Sequence, residues 1–267
     1  IAYVDEGSGS ETLVFVHGLG SYLRAWEKNI HELSGFYRCI ALDLPGYGQS
    51  GASPEGYHPK YFAAVLAQMM AKLALKNVIL VGHSMGGQIA IQLGLDYPES
   101  IKKLVLVAPA GLETFSDAEK MWFKQIYTPA FVAAATPEQV RQNYQLNFFK
   151  MPEDAETMIN DRIQQMQTEG FAAYCEMIPQ CVMGMLEQPV FDRLSELKLP
   201  VLILFGKEDS LIPNKFLHPG LTTEAVAAMG IEKIPHAQLH MVSEAGHFVQ
   251  WEKPTEVNQS ISDFIKN

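Results

Sequence analysis

The segment from Val78 to Leu93 combines a strand pattern, an abrupt turn and a helix pattern. The apolar run Val78-Ile79-Leu80-Val81 predicts a buried strand, and the residues from Gly87 onward predict a helix. Gly82-His83-Ser84-Met85-Gly86 lies between them. So tight a turn strains its central residue and excludes neighbouring side chains, a demand that glycine meets. The pattern G-x-S-x-G in this setting is typical of a nucleophile elbow, which projects the serine hydroxyl above a sheet.

A serine hydroxyl is a weak nucleophile at neutral pH and needs a base. After an elbow, the expected chain order is serine, acid, histidine. Asp209 follows the apolar run that begins at Val201, and His247 follows a second run that ends near Val242. Because such groups collect at the carboxyl ends of strands in open α/β sheets, we predict Ser84, Asp209 and His247 as the catalytic residues. Glu208 and, more distantly, Asp43 are rival acids.

The stretch His17-Gly18-Leu19-Gly20 predicts the electrophilic half of the same site. It follows the β-branched and aromatic run from Thr12 to Val16, which predicts a buried strand. Glycines there let the backbone approach a substrate. The backbone N–H groups of Leu19 and Met85 are therefore predicted to form an oxyanion hole, where one donor contributes on the order of 3 kcal/mol to transition-state stabilisation.

On these motifs the chain resembles the α/β-hydrolase family. The resemblance implies Ser84 as nucleophile, Asp209 as acid and His247 as base, with Leu19 and Met85 as oxyanion donors. An elbow serine disfavours the haloalkane dehalogenases and epoxide hydrolases, which carry aspartate there. The chain also lacks the His-Gly-Gly-Pro-Gly loop of proline iminopeptidases and the Gly-Gly-Gly-Pro-Gly loop common in carbon–carbon bond hydrolases. The matching segments, in the family's order, are His17-Gly18-Leu19-Gly20, Asp43 to Ser50, Gly82 to Gly87, Gly206 to Asp209 and Gly246-His247.

Strand and helix patterns alternate along most of the chain. This alternation predicts a mostly parallel, twisted sheet with helices on both faces, the α/β-hydrolase fold. The alternation stops after Gly111 and resumes near Leu199. We therefore predict a core of residues 1–111 and 191–267 and an inserted helical cap of residues 112–190. Further strands are predicted at 2–5, 37–42, 102–107, 200–205 and 239–243. The prolines expected to punctuate the cap helices are Pro129, Pro137, Pro152, Pro179 and Pro189.

Composition narrows the range of partners. A formal net charge of −10 disfavours nucleic acid or an anionic membrane surface as a partner. No apolar run reaches the roughly 18 residues of a membrane span. Three cysteines without a visible secretion signal favour reduced thiols and a cytoplasmic location. The first residue is Ile1, which leaves room for a preceding segment.

The combined prediction is a serine hydrolase that cleaves a carboxylic ester with an apolar part through an acyl-enzyme. Trp122, Phe149 and Met177, from the aromatic and methionine-rich cap, are the predicted substrate contacts. The chemistry needs no cofactor, no metal ligands are predicted, and the oligomeric state stays open.

Two alternatives remain. One is hydrolysis of a carbon–carbon bond in a vinylogous diketone acid from aromatic-ring cleavage, which needs a cation for the carboxylate. The other is a ligand receptor that retains the hydrolase fold. The cap-region cations available for the first alternative are Arg141, Lys150, Arg162 and Arg193.

Overall fold

The computed structural model describes residues 1–53 and 55–267. Within them, one sheet of seven strands runs in the order β1-β3-β2-β4-β5-β6-β7. β1 pairs antiparallel with β3, and the other pairings are parallel. The sheet is therefore mostly parallel, as predicted. The strands are β1 (Tyr3–Glu6), β2 (Thr12–Val16), β3 (Arg38–Leu42), β4 (Val78–His83), β5 (Lys103–Val107), β6 (Val201–Gly206) and β7 (Ala237–Val242).

The register places the predicted site loops side by side. In the central pair of strands, Val16 of β2 lies opposite Gly82 of β4. Because the strands are parallel, the loop after β2 and the turn after β4 leave the same edge of the sheet. All residues of β2, β4 and β6 are buried, which explains their continuous apolar sequences.

Helices cover both faces of the sheet. Nearly all of α3 (Met85–Asp96) is buried, from Met85 to Gly94, in agreement with its apolar sequence. Apolar stripes of α2 (Pro59–Lys72) and α11 (Pro254–Lys266) pack toward the sheet, as their three- to four-residue spacing predicts. The helices outside the inserted segment are α1 (Glu27–Leu33), α2 (Pro59–Lys72), α3 (Met85–Asp96), α9 (Thr223–Lys233), α10 (Val249–Glu252) and α11 (Pro254–Lys266).

The segment between β5 and β6 is helical, and its helices begin at recognisable caps. Ser116 and Thr136 each form a capping box with the side chain three residues later. Pro129 and Pro137 each occupy the first turn of a helix. The helices of this segment are α4 (Asp117–Ile126), α5 (Pro129–Ala133), α6 (Pro137–Gln145), α7 (Glu156–Gln165) and α8 (Phe171–Glu187).

The prediction that Pro179 interrupts a helix is wrong. Pro179 lies inside α8, which continues through it. An internal proline removes a backbone hydrogen bond at a cost of about 3 kcal/mol. Most of α8 around it is buried, including Cys175, Ile178 and Val182. Tertiary packing therefore holds the helix together where local preference would end it.

The last strand also differs from the prediction. β7 begins at Ala237, two residues before the predicted start, and ends at Val242. It is one of the two edge strands, and most of its residues are exposed or half-buried. Its polar first half therefore lacks the apolar run that marks the central strands. Among the described residues, the helices are all too short or too polar to cross a membrane.

Candidate active site

Ser84 occupies a strained turn between β4 and α3. Its φ of 53° and ψ of −118° are unusual for a residue with a side chain. A hydrogen bond of 3.0 Å from its N–H to the Val107 carbonyl holds the turn. A Cβ atom added to Gly86 would lie 2.4 Å from the Val16 carbonyl oxygen. The glycine is therefore required where the turn touches the adjacent strand.

Asp209 and His247 form a buried pair. His247 Nδ1 lies 2.8 Å from Asp209 Oδ2, and the two side chains are 4% and 0% exposed. Oδ1 of Asp209 accepts hydrogen bonds from the Leu211 and Ile212 N–H groups at 2.8 and 3.0 Å. The carboxylate is thus fixed by the loop after β6. With Nδ1–H donated to Asp209, His247 presents Nε2 as its basic nitrogen.

The rival acids are engaged elsewhere. Oε2 of Glu208 accepts the Ala245 N–H at 3.0 Å. The two oxygens of Asp43 accept the Leu23 and Gln49 N–H groups at 2.8 and 2.9 Å. Glu208 therefore holds the loop that carries the histidine, and Asp43 holds two loops together.

His83, the residue before Ser84, contacts His247. The His83 ring lies 4.8 Å from the His247 ring between centroids, and Ser84 is the next residue in the chain. Among the hydrogen bonds of the described residues, none joins the Ser84 hydroxyl to His247. Such bonds are often long in a free enzyme and tighten when substrate binds.

The loop after β2 reaches the elbow. A Cβ atom on Gly18 would lie 3.1 Å from Ser84 Cβ. The neighbouring Leu19 N–H and the Met85 N–H have no hydrogen-bond acceptor within the described part of the chain. Two backbone donors beside Ser84 are therefore available to an oxyanion.

His17 supports this loop from inside the core. Its Nδ1–H donates to the Gly18 carbonyl at 2.8 Å, and its Nε2 accepts the Leu44 N–H at 3.1 Å. Burial lowers the pKa of His17 to about 4, against opposing contributions from the Gly18 carbonyl and Asp43. A neutral ring with one donor and one acceptor suits both partners.

A cavity of about 200 Å³ lies between this loop and the helical segment. Arg162 of α7 lines it, with its guanidinium carbon 3.7 Å from the centroid of the Tyr174 ring. Arg162 Nη1 also donates to Gln165 at 2.7 Å. The other lining residues are Gly20, Ser21, Tyr22, Tyr47, Gly48, Tyr144, Met158, Asp161, Gln165 and Tyr174.

The four cap-region cations are therefore not equivalent. Arg141 binds both carboxylate oxygens of Glu156, and Arg193 pairs with two acidic side chains. Lys150 is exposed. Arg162 has no carboxylate partner among the ion pairs of residues 1–53 and 55–267. Sequence alone could not single out Arg162, because the cavity is built from loops distant in the chain.

The three predicted substrate contacts lie in different surroundings. Trp122 is half-buried and packs with Leu19 against a small apolar cluster of Phe123, Val182 and Leu186. Met177 is 1% exposed and belongs to the main core. Phe149 is 51% exposed. Their role in substrate binding stays a prediction, and of the three only Trp122 packs against the same apolar cluster as Leu19, a predicted oxyanion donor.

The described residues contain no group of three histidine, cysteine or acidic side chains arranged to hold a metal ion.

The sequence matches the family model of the alpha/beta hydrolase fold over residues 11–254. The chain belongs to this family. The match takes in the elbow, both oxyanion candidates and the Asp209–His247 pair. The protein is thus an α/β hydrolase.

Three similar proteins illustrate the range of the family. A 2-hydroxy-6-oxononadienedioate/2-hydroxy-6-oxononatrienedioate hydrolase of Paraburkholderia phymatum is 30% identical over 99% of this chain and 90% of its own length. The dihydrolipoyllysine-residue acetyltransferase component of the acetoin cleaving system of Cupriavidus necator is 31% identical over 97% of this chain, which spans 64% of that protein's length. The solved structure of a thermophilic esterase from Thermogutta terrifontis, with malate bound, is 25% identical with a TM-score of 0.78, over 99% of this chain and 92% of that one.

Proposed function

We propose that this α/β hydrolase cleaves a carboxylic ester with an apolar part, using Ser84 as nucleophile, His247 as base and Asp209 as acid. The observation that carries the proposal is the buried 2.8 Å bond between His247 and Asp209, in a loop whose His247 carbonyl lies 3.0 Å from the residue before the strained Ser84. The bond holds the imidazole in the tautomer that leaves Nε2 free to accept a proton.

The reaction follows from these positions. Nε2 of His247 takes the proton of the Ser84 hydroxyl as the oxygen attacks the ester carbonyl. The Leu19 and Met85 N–H groups stabilise the negative oxygen of the tetrahedral intermediate. The intermediate expels the alcohol, which takes the proton from His247. A water molecule then attacks the acyl-enzyme, again with His247 as base, and releases the acid.

Apolar surroundings beside the oxyanion donors support an apolar substrate. The side chains of Leu19 and Trp122 both pack against the cluster of Phe123, Val182 and Leu186, so the residue proposed as an oxyanion donor belongs to an apolar region. An esterase among the similar structures is consistent with the same chemistry.

Replacement of the nucleophile tests the proposal. Ser84→Ala should lower kcat on a nitrophenyl ester by about 10⁴-fold or more. Ser100→Ala, at a serine whose hydroxyl donates to the Tyr97 carbonyl, is the control and should keep wild-type activity. Turnover by Ser84→Ala within tenfold of wild type would overturn the assignment.

A second candidate is carbon–carbon bond hydrolysis in an anionic ring-cleavage product, and Arg162 supports it. This guanidinium lines the cavity between the loop after β2 and the helical segment, and it lacks a carboxylate partner among the described residues. The Paraburkholderia phymatum relative is by its name a hydrolase of dicarboxylic acids. Arg162→Leu should raise KM strongly for an anionic vinylogous diketone substrate and change little for a neutral ester. Loss of turnover on the anionic substrate alone would favour the second candidate.

A further inference from the structure

His83, the residue before the proposed nucleophile, makes an unusual contact with the proposed base. Its Nε2 lies 3.0 Å from the main-chain carbonyl oxygen of His247. Its ring packs against the rings of His247 and Phe248, each with a centroid distance of 4.8 Å. The side chain of His83 thus touches both the backbone and the imidazole of His247.

The protonation state of His83 follows from its partners. A carbonyl oxygen only accepts hydrogen bonds, so Nε2 carries the proton. Burial lowers the pKa of His83 well below its ordinary value, and the nearby His247 and His17 lower it further, against the opposing bond to the His247 carbonyl. The ring is therefore neutral, and Nδ1 bears a lone pair.

That lone pair has no hydrogen-bond partner within the described part of the chain. The Trp26 ring lies edge-on to His83 at 6.4 Å between centroids, and its indole N–H is also buried without a partner among the described residues. An unpaired buried polar atom is destabilising. An apolar side chain would fill this place at no such cost, so the contribution of the histidine lies in its Nε2–H and its ring.

We propose that His83 is a positioning residue for His247. Its Nε2–H and its ring fix the loop and the imidazole of the base relative to Ser84, to which His83 is covalently joined. The inference rests on the proposed function, because it assigns His247 as the base. A neutral His83 also avoids a second positive charge 4.8 Å from the imidazolium that forms when His247 accepts the proton.

Two substitutions separate positioning from space filling. In His83→Gln, the amide nitrogen can reach the position of Nε2 and donate to the His247 carbonyl. In His83→Leu, a similar volume is kept and the donor is lost. Val105→Ala, in the core strand β5, is the control for lost stability without a change near the site.

We expect kcat to fall when the hydrogen-bond donor to the His247 carbonyl is lost and to be retained when the donor is kept. Since a displacement of about 1 Å can cost about 100-fold in rate, His83→Leu should lower kcat on a nitrophenyl ester by that order, with KM nearly unchanged. His83→Gln should retain most of kcat. Val105→Ala should lower the melting temperature and leave kcat near wild type. Equal kcat for His83→Leu and wild type would overturn the proposal.

A second readout does not depend on turnover. The Nδ1 proton that His247 donates to Asp209 can be followed by proton NMR in ¹⁵N-histidine-labelled protein. It should shift or exchange faster in His83→Leu and remain as in wild type in His83→Gln.

If Ser84→Ala keeps its activity, the proposed function fails, and the NMR comparison still decides whether His83 positions His247. Unchanged spectra in both variants would show that His83 only fills space. If His83→Leu does not fold, His83→Asn replaces it, because its shorter amide does not reach the carbonyl.

Discussion

Ser84, the proposed nucleophile, has a strained backbone, and this strain should lower the stability of the folded protein. Backbone strain of this kind costs about 1–3 kcal/mol, and Ser84→Ala keeps the Cβ atom that causes it. Ser84→Gly removes the Cβ and so relieves the strain. The greater conformational freedom of glycine in the unfolded chain cancels about 0.5–1 kcal/mol of the stability gained in this way. We expect Ser84→Gly to be more stable than both wild type and Ser84→Ala, by about 1 kcal/mol. Urea unfolding of the three proteins measures this, and equal midpoints would mean that the elbow is not strained.

The choice of acid can be tested in the same way. Asp209→Asn keeps the size of the side chain and can favour the wrong His247 tautomer, so the rate should fall by up to about 10⁴-fold. Glu208→Gln keeps an oxygen that can accept the Ala245 N–H and should change kcat little. Asp43→Asn should lower stability more than kcat, since both of its oxygens bind backbone N–H groups. A mild Asp209→Asn together with a severe Glu208→Gln would reassign the acid.

At the scale of single residues, the sequence predicts where a residue lies relative to a strand better than it predicts which atoms its side chain contacts. The order of Ser84, Asp209 and His247 and their places after strands could be inferred from apolar runs. The bond of His83 to the His247 carbonyl could not, because a side-chain contact with a backbone atom 164 residues away leaves no local pattern. The motif also does not require histidine at position 83, so no spacing rule drew attention to it.

At the scale of elements, a histidine clamp joins α4 to the loop that follows Asp209. His218 lies between Glu113 and Glu119, at 2.5 Å from Nδ1 and 3.1 Å from Nε2. Phe115 stacks on its ring at 5.3 Å. Burial alone would lower the pKa of His218, but the hydrogen bonds and charges of Glu113 and Glu119 outweigh it and raise the pKa above the ordinary value.

This clamp gives stability a predictable pH dependence. Because the pKa of His218 is raised in the folded protein, the stability that the clamp contributes is fully present below the unfolded histidine pKa of about 6.5. It is lost as the pH rises through the folded pKa of His218. The free energy of unfolding of wild type should exceed that of His218→Gln by about 1 kcal/mol near pH 6. This difference should shrink toward pH 9. His31→Gln, at an exposed histidine of α1, is the control. Chemical unfolding at each pH measures the difference, and one that grows with pH would refute the clamp.

Some helices and strands could be predicted from sequence patterns, and others could not. Buried strands such as β2, β4 and β6 were predicted because helices cover both faces and demand continuous apolar runs. The edge strand β7 was placed two residues late because half of it faces solvent. Pro179 was misjudged because local preference and tertiary packing disagree there. The clamp around His218 joins residues about 100 positions apart, and their spacing in sequence carries no signal.

At the scale of the whole molecule, the sheet and the inserted helices contribute different things. The carboxyl ends of the strands hold the groups proposed to react, Ser84, Asp209 and His247, which act on the ester carbonyl rather than on the remote part of a substrate. The helices between β5 and β6 supply the apolar cluster beside Leu19 and the cavity lined by Arg162. We therefore expect substitutions in this segment to change substrate preference more than the chemical step.

A series of nitrophenyl esters with increasing acyl length tests this division. Each methylene buried against the apolar cluster contributes about 0.8 kcal/mol, a few-fold in kcat/KM, until the space is filled. We expect kcat/KM to rise over the first few carbons and then fall. Trp122→Ala should move the optimum, because Trp122 and Leu19 pack against the same apolar cluster, whereas Phe149→Ala, at a side chain 51% exposed, should leave it in place. Melting temperatures of both variants separate a changed pocket from a loosened segment. A flat series, combined with a preference for anionic substrates that Arg162→Leu abolishes, would replace the apolar ester by the ring-cleavage product as the substrate.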